Sequence, residues 1–203
     1  EGVKYFNDYV NYFKGHSYKS DALEKCSWLY LINNDTLNYI NYKQRSLSYN
    51  SQHTDADLNA KTNSLRSNTP NINLLKSRIL FDAGLYKESM AELEDLSAKA
   101  INNKYERTEL IYRLARNYHL LNQKEKAIEK YNETIKSSKD LKAYFSASAA
   151  YYLARIYEKE KMYSDSKKYY KLCLKFKNHS YKRSFDIKAK SGLHRITQID
   201  NNF

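Results

Sequence analysis

Turn-forming residues are scarce in this chain. It has one proline and four glycines in 203 residues, against ordinary usage of about 5% and about 7%. Hairpin-rich β architecture draws on glycine at its turns, so the shortage argues against a sandwich or barrel. Four scattered glycines cannot form a glycine-rich phosphate loop, and no Gly-x-Ser-x-Gly elbow is present. The two cysteines, Cys26 and Cys173, imply no disulfide framework. Each sits within an apolar helical pattern and is expected as a small core residue. No apolar run approaches the roughly 18 residues of a membrane span. The five histidines (His16, His53, His119, His179, His194) include no pair or cluster with metal-ligand spacing, so neither a metal nor another cofactor is expected. Acidic pairs such as Glu92 with Asp95 and Glu106 with Glu109 share a helix face at i, i+3, which suits solvation or ion pairing with nearby Lys and Arg. No catalytic constellation emerges, and the expectation is a protein that is not an enzyme.

What is abundant is Lys, Glu, Leu and Ala, all good helix formers. The fold class expected is all-α. The balance is basic, with 35 Lys+Arg against 23 Asp+Glu for a net charge of +12. Between Lys159 and Lys190 eleven basic residues face three acidic ones, so 11 − 3 = 8 of those positive charges fall there. A segment containing Lys167, Lys168, Lys171, Lys175, Lys182 and Arg183 can attract nucleic acid, anionic lipid or an acidic protein. It can equally be a solvated helical face. Residue 1 is Glu, so processing or truncation before it is expected.

Internal repetition organises the chain. Three segments align without gaps. The first carries Ser77, Leu80, Gly84, Ser89, Leu93 and Leu96; the second, Ala115, Tyr118, Asn122, Ala127, Tyr131 and Thr134; the third, Ala154, Tyr157, Lys161, Ser166, Tyr170 and Cys173. Each has a small residue, a large one three later, a turn position four after that, and a second small residue nine after the large one. Small residues let paired helices approach, and large ones fill the space between pairs. The spacings are 38 (77 to 115) and 39 (115 to 154), and the extra length is expected near 102–105 and 137–142. The alternative is a helical bundle with coincident spacing. The tyrosines, 21 in all, include four at repeat positions and read mainly as core, with stacking on bases as the alternative.

The N-terminal third reads as a weaker copy. One apolar helix holds Tyr5, Phe6, Tyr9, Tyr12 and Phe13 and stops at Gly15. A second runs from about Tyr18 to Asn33, with Ala22, Cys26 and Leu29 at second-helix spacing. A short helix from Asp35 and another over 55–66, capped by Thr54 or Asp55, precede a break at Pro70. Residues 180–198 form a last amphipathic helix, with Phe185, Ala189, Leu193 and Ile196 on one face. The expected organisation is one domain over 1–203: degenerate repeats in 1–66, three clear repeats in 71–178, and a capping helix in 180–198.

This pattern resembles the tetratricopeptide repeat (TPR). Several strings narrow it: Asp21-Ala22-Leu23-Glu24-Lys25-Cys26-Ser27-Trp28-Leu29-Tyr30-Leu31, Ser77-Arg78-Ile79-Leu80-Phe81-Asp82-Ala83-Gly84-Leu85-Tyr86, Tyr112-Arg113-Leu114-Ala115-Arg116, and Asn178-His179-Ser180-Tyr181-Lys182 with Lys188-Ala189-Lys190-Ser191-Gly192-Leu193. Together they resemble the C-terminal part of TPR proteins of unassigned function from Bacteroidota. The resemblance implies a right-handed α-α superhelix (solenoid), a longer parent protein, and a periplasmic or outer-membrane-associated location. It supplies no catalytic residues. Ser77, Ala115 and Ala154 stand where the TPR pattern more often has Gly.

Arg78, Arg116 and Arg155 each follow the small residue of a first helix and so hold one equivalent position in three repeats. The resemblance implies that this position faces a concave groove. Leu74, Tyr112 and Tyr151 lie one turn before them, and Phe81, His119 and Glu158 three residues after. Such a groove suits a protein or peptide partner, an acidic one above all, because guanidinium groups grip carboxylates bidentately. The candidate partner-binding residues are therefore Arg78, Arg116, Arg155, Tyr112, Tyr151 and His119. The alternative is that the arginines bridge to acidic side chains of adjacent repeats, with Asp82 and Glu158 as partners. Two further functional readings stand beside the scaffold: anionic-surface or nucleic-acid binding through 159–190, and an accessory domain of a protein whose activity lies upstream.

Overall fold

The computed structural model describes residues 1–50, 54–97, 101–138 and 141–201. Residues 51–53, with His53, 98–100, and 139–140 of the extension expected near 137–142 lie outside the described residues. Among the described residues there are eleven helices and no strand. They are α1 (Gly2–Tyr12), α2 (Lys19–Ile32), α3 (Thr36–Ser48), α4 (Asp55–Ser64), α5 (Ile72–Asp82), α6 (Tyr86–Ser97), α7 (Lys104–Leu120), α8 (Lys124–Ser137), α9 (Phe145–Lys159), α10 (Tyr163–Lys175) and α11 (Lys182–Asn201). The all-α expectation is met. The chain divides into two compact units, Glu1–Leu75 and Lys76–Phe203.

Four helix pairs share one connection. Between α2 and α3, α5 and α6, α7 and α8, and α9 and α10, three residues intervene. The middle one is always left-handed: Asn34 at φ 60°, Gly84 at φ 80°, Asn122 at φ 59° and Lys161 at φ 60°. Two backbone bonds close each turn in the Schellman pattern. The left-handed residue donates three back, as in Asn34 N–H to Leu31 O (3.0 Å) and Lys161 N–H to Glu158 O (3.1 Å). The next residue donates five back: Asp35 to Tyr30 (2.9 Å), Leu85 to Leu80 (2.9 Å), Gln123 to Tyr118 (2.8 Å) and Met162 to Tyr157 (2.9 Å). So short a reversal forces the two helices of a pair to pack antiparallel at close range.

The residues at closest approach are small and fully buried. Ser77, Ser89, Ala115, Ala127, Ala154 and Ser166 are all 0% exposed. Where the second-helix residue is Ser, its hydroxyl donates to the partner's carbonyl: Ser89 to Ser77 O at 2.9 Å and Ser166 to Ala154 O at 2.8 Å. These bonds satisfy the hydroxyls that so tight a contact takes from water.

In the Glu1–Leu75 unit the equivalent pair is α2–α3, not the α1–α2 pair expected around Gly15. Ser27 stands seven residues before Asn34, as Ser77 does before Gly84, and Ser46 twelve after it, matching Leu96. Ser27 and Ser46 are buried. The α1–α2 connection closes differently. Tyr18 is the left-handed residue there, at φ 60°, and Asp57 of α4 accepts from the Tyr18 and Asp21 amides at 2.7 and 3.2 Å. A buried carboxylate from α4 thus takes the free N–H groups that begin α2. Thr54 caps α4 by accepting from the Asp57 amide at 3.1 Å. The core of this unit gathers Val10, Ala22, Leu23, Cys26 and Tyr42.

In the Lys76–Phe203 unit, α9 sits between two cores. Ala149, Leu153 and Ile156 pack with Ala115 and Tyr131 on one side. Ala147, Ala150 and Ala154 pack with Tyr170, Phe185, Ala189 and Ile196 on the other. Residues Phe145 through Ala150 are all buried, which explains a run of small residues in a helix with neighbours on both sides. α11 packs on α9 and α10 with Phe185, Ala189 and Ile196, the face expected of it. Both cysteines are buried, and burial foremost raises their thiols to about 11 for Cys26 and about 12 for Cys173.

The left-handed turn residues can be tested by opposite substitutions. A Cβ at Gly84 would meet nothing within 4 Å, so Gly84→Ala isolates the backbone strain and is expected to cost about 1 kcal/mol. Lys161→Gly is expected to cost nothing or to add a few tenths, although a glycine at a right-handed helix position costs about 1 kcal/mol. Urea midpoints of the two variants check the pair.

Candidate functional site

The candidate arginines and histidine lie on the first helices of the Lys76–Phe203 unit: Arg78 on α5, Arg116 and His119 on α7, Arg155 on α9. Each arginine follows a buried small residue, so it emerges one position round from the contact line between paired helices. Arg116 lies between two rings. Its guanidinium carbon is 5.0 Å from the Phe81 ring centroid and 3.7 Å from that of Tyr152. Phe81 belongs to the preceding pair and Tyr152 to the following one, so a cation–π sandwich links three consecutive first helices. The bridge from Arg116 to its neighbours is thus aromatic, where the sequence suggests an acidic one. Asp82, one of the expected acidic partners, is exposed at the end of α5.

Arg155 is half exposed, with its Nε 3.8 Å from Glu158 Oε2. Glu158, the other expected acidic partner, is engaged more closely from elsewhere. Arg195 of α11 donates to both its oxygens, and Tyr170 of α10 donates to one of them. Arg78 is half-buried near the start of α9. Burial and the Tyr112 hydroxyl raise the Tyr144 phenol, and the Arg78 and Arg113 charges oppose them.

Arg155, His119, Tyr151, Tyr152, Glu158 and Lys159 are among the residues that line one cleft of ≈ 900 Å³. Three of the six candidate groove residues therefore meet there, and Arg116 adjoins through Tyr152. Tyr112 does not. It is 6% exposed, packs on Tyr144 and Phe145, and shares a 2.7 Å hydrogen bond with Ser148 of α9. Its ring leans into the next pair and belongs to the core. The shelf beside the arginines is instead Tyr152, three residues before Arg155, a position that the repeat register does not single out.

His119 bonds through Nδ1 to the Tyr131 hydroxyl at 3.1 Å and stands edge-on to Tyr131 and Tyr152. Burial, then the charges of Arg116, Lys159 and Arg155, push its pKa down to about 4. At neutral pH it is an uncharged wall, and the charged residues that line the cleft beside it are Lys124, Arg155 and Lys159 with Glu125, Glu158 and Glu160. Of the basic segment, Lys168, Lys171, Lys175 and Arg183 are exposed, and the three lysines fall on one face of α10. Lys167 is half-buried, and Lys182 pairs with Asp186.

Among the described residues no group of three His, Cys, Asp or Glu side chains is placed to hold a metal ion. Among them, too, no helix is long and apolar enough to cross a membrane. The sequence matches no protein-family model, and comparison with curated proteins gives no match either.

The depressed His119 pKa has a sign that can be checked. The folded state binds fewer protons than the unfolded state between about pH 6.5 and about 4, so stability falls as pH drops through that window. A plot of melting temperature against pH is expected to be shallower over this window for His119→Gln than for wild type.

Proposed function

We propose that this chain is a TPR-like helical-repeat scaffold that holds a peptide or protein partner in the cleft between Arg116 and Arg155. The observation that carries the reading is the cleft itself, lined by Arg155, His119, Tyr151 and Tyr152, with Lys159 beside it. It combines flat aromatic surface with guanidinium donors, the residue types that dominate protein-recognition sites. The turn shared by four helix pairs and the buried small residues at the crossings of three of them support the solenoid assignment. An acidic partner fits the cations that crowd His119. The strings resembling Bacteroidota TPR proteins make an envelope setting part of the same proposal, and a role as accessory domain of a longer protein is compatible with it.

Affinity capture with wild type and with the Arg116→Ala/Arg155→Ala pair tests the reading. Partners retained by wild type and lost from the variant are expected, with an affinity loss of roughly tenfold or more for each charge-assisted contact removed. An unchanged partner set, from a variant that melts like wild type, would mean that the cleft is not the binding site. The exposed stripe Lys168–Lys171–Lys175 favours a second reading, binding to anionic surfaces or nucleic acid. Affinity that falls steeply with salt and survives the double substitution would favour that reading.

A further inference from the structure

Glu158 lines the cleft with Arg155 and has two guanidinium groups within reach. Arg195, arriving from α11, donates Nε to Oε1 at 3.0 Å and Nη2 to Oε2 at 3.1 Å. The Tyr170 hydroxyl donates to Oε2 as well, and Arg195 is itself steadied by Ser191 Oγ at 3.2 Å. Both carboxylate oxygens are thus taken by groups on α10 and α11. Arg155, on the same helix as Glu158, stands at 3.8 Å with 51% of its side chain exposed, outside hydrogen-bond range. The approach of α11 depends on Gly192, where a Cβ would stand 2.2–2.6 Å from atoms of the Tyr170 ring. Only glycine lets the helix come close enough for Arg195, three residues on, to reach Glu158.

We propose that α11 is a working part of the binding site, in which Arg195 occupies Glu158 so that Arg155 presents its donors to a carboxylate side chain of an acidic peptide. The inference rests on the cleft being the partner site. Arg195 is here a positioning residue. Without it, Glu158 is left with Tyr170 and its own-helix neighbour Arg155, which a small change of rotamer would bring into contact. An acidic ligand would then compete with a tethered carboxylate one helical turn away, whose effective concentration is high. The cleft also holds Glu125, Glu158 and Glu160. Glu158 is held by Arg195 and Glu160 by Lys124 at 3.2 Å, Glu125 is exposed, and the cations that face a ligand are Arg155 and Lys159, with Arg116 held between rings next to Tyr152.

Fluorescence anisotropy of a fluorescein-labelled oligoglutamate peptide, at low ionic strength, tests this with full-length variants. Wild type is expected to bind. Arg155→Ala is expected to weaken binding by about tenfold, and Arg195→Ala by a comparable factor although Arg155 is intact. The Arg195→Ala/Glu158→Gln double variant is expected to return to near wild type. Lys190→Ala, which removes one exposed charge from the same helix, is expected to bind like wild type. Binding by Arg195→Ala equal to wild type would overturn the role of Arg195 and leave the cleft standing. Loss in Lys190→Ala equal to that in Arg195→Ala would reduce Arg195 to its bare charge and overturn the proposal. Failure of the double variant to recover would make the effect one of helix docking, which overturns the proposal too. Wild type that does not bind the peptide, or Arg155→Ala that binds it unchanged, would overturn the acidic-peptide reading and the proposal with it. Should Arg195→Ala not fold, Glu158→Gln alone decides: binding as tight as wild type or tighter supports the proposal, and weaker binding overturns it.

Discussion

The constraint on which everything else depends is the reversal of a helix within three residues. A chain that turns so sharply needs one residue in the left-handed region, and Asn34, Gly84, Asn122 and Lys161 each supply it. Gly84 takes it without strain, Asn34 and Asn122 are of the type that tolerates it next best, and Lys161 accepts a conformation that is unfavourable for its type. Two closing backbone bonds at each turn, and the close approach of the paired helices, offset that strain. The approach in turn dictates side-chain size. In α5–α6, α7–α8 and α9–α10 Ser or Ala stands at the crossing, where a larger residue would separate the axes. Larger groups are displaced outward, where Tyr131 and Tyr170 fill the space between pairs at 0% exposure.

The same geometry places the functional candidates. A residue immediately after the small one leaves the contact line by one helical step, and Arg116 there meets a ring from each neighbouring first helix. Two of the three arginines at that position, Arg116 and Arg155, both bear on His119. The structure does not neutralise them in one way. Arg116 lies between Phe81 and Tyr152, Arg155 faces a carboxylate already held by Arg195, and Arg78 acts on Tyr144. The outcome is a cleft with aromatic walls and guanidinium groups at its edge, and with a histidine kept uncharged by burial and by the cations around it.

How much of this is legible in the residues varies with the physics involved. The three C-terminal pairs can be read because small, large and turn residues recur at fixed spacing, and steric demands at a helix crossing write themselves into residue size. The α2–α3 pair escapes because Tyr39 and Lys43 occupy the positions where the other copies have a small residue and an aromatic or Leu. Its signal is Ser27, Asn34 and Ser46 at the shared offsets. The arginine positions can be read for the same reason of register. Their partners cannot, because aromatic and acidic side chains both lie within reach of a long guanidinium arm. Tyr112 shows the limit of counting turns: position i−4 shares a face with Arg116, yet a ring leans towards the helix N-terminus and here enters the core beside Ser148. The Arg195–Glu158 contact joins residues 37 apart, and no local spacing announces it.

One turn geometry, repeated four times, holds the helix pairs together, and residue-resolved amide hydrogen exchange tests this most directly. The amides of Asp35, Leu85, Gln123 and Met162 follow the left-handed residue, and in a simple loop they would be open to water. Here each donates to a carbonyl five residues back. All four are therefore predicted to exchange well below the rate of an unstructured peptide and to close in the same step as the helices they join. Exchange at the unstructured rate at these four positions, with the helix interiors still protected, would contradict it.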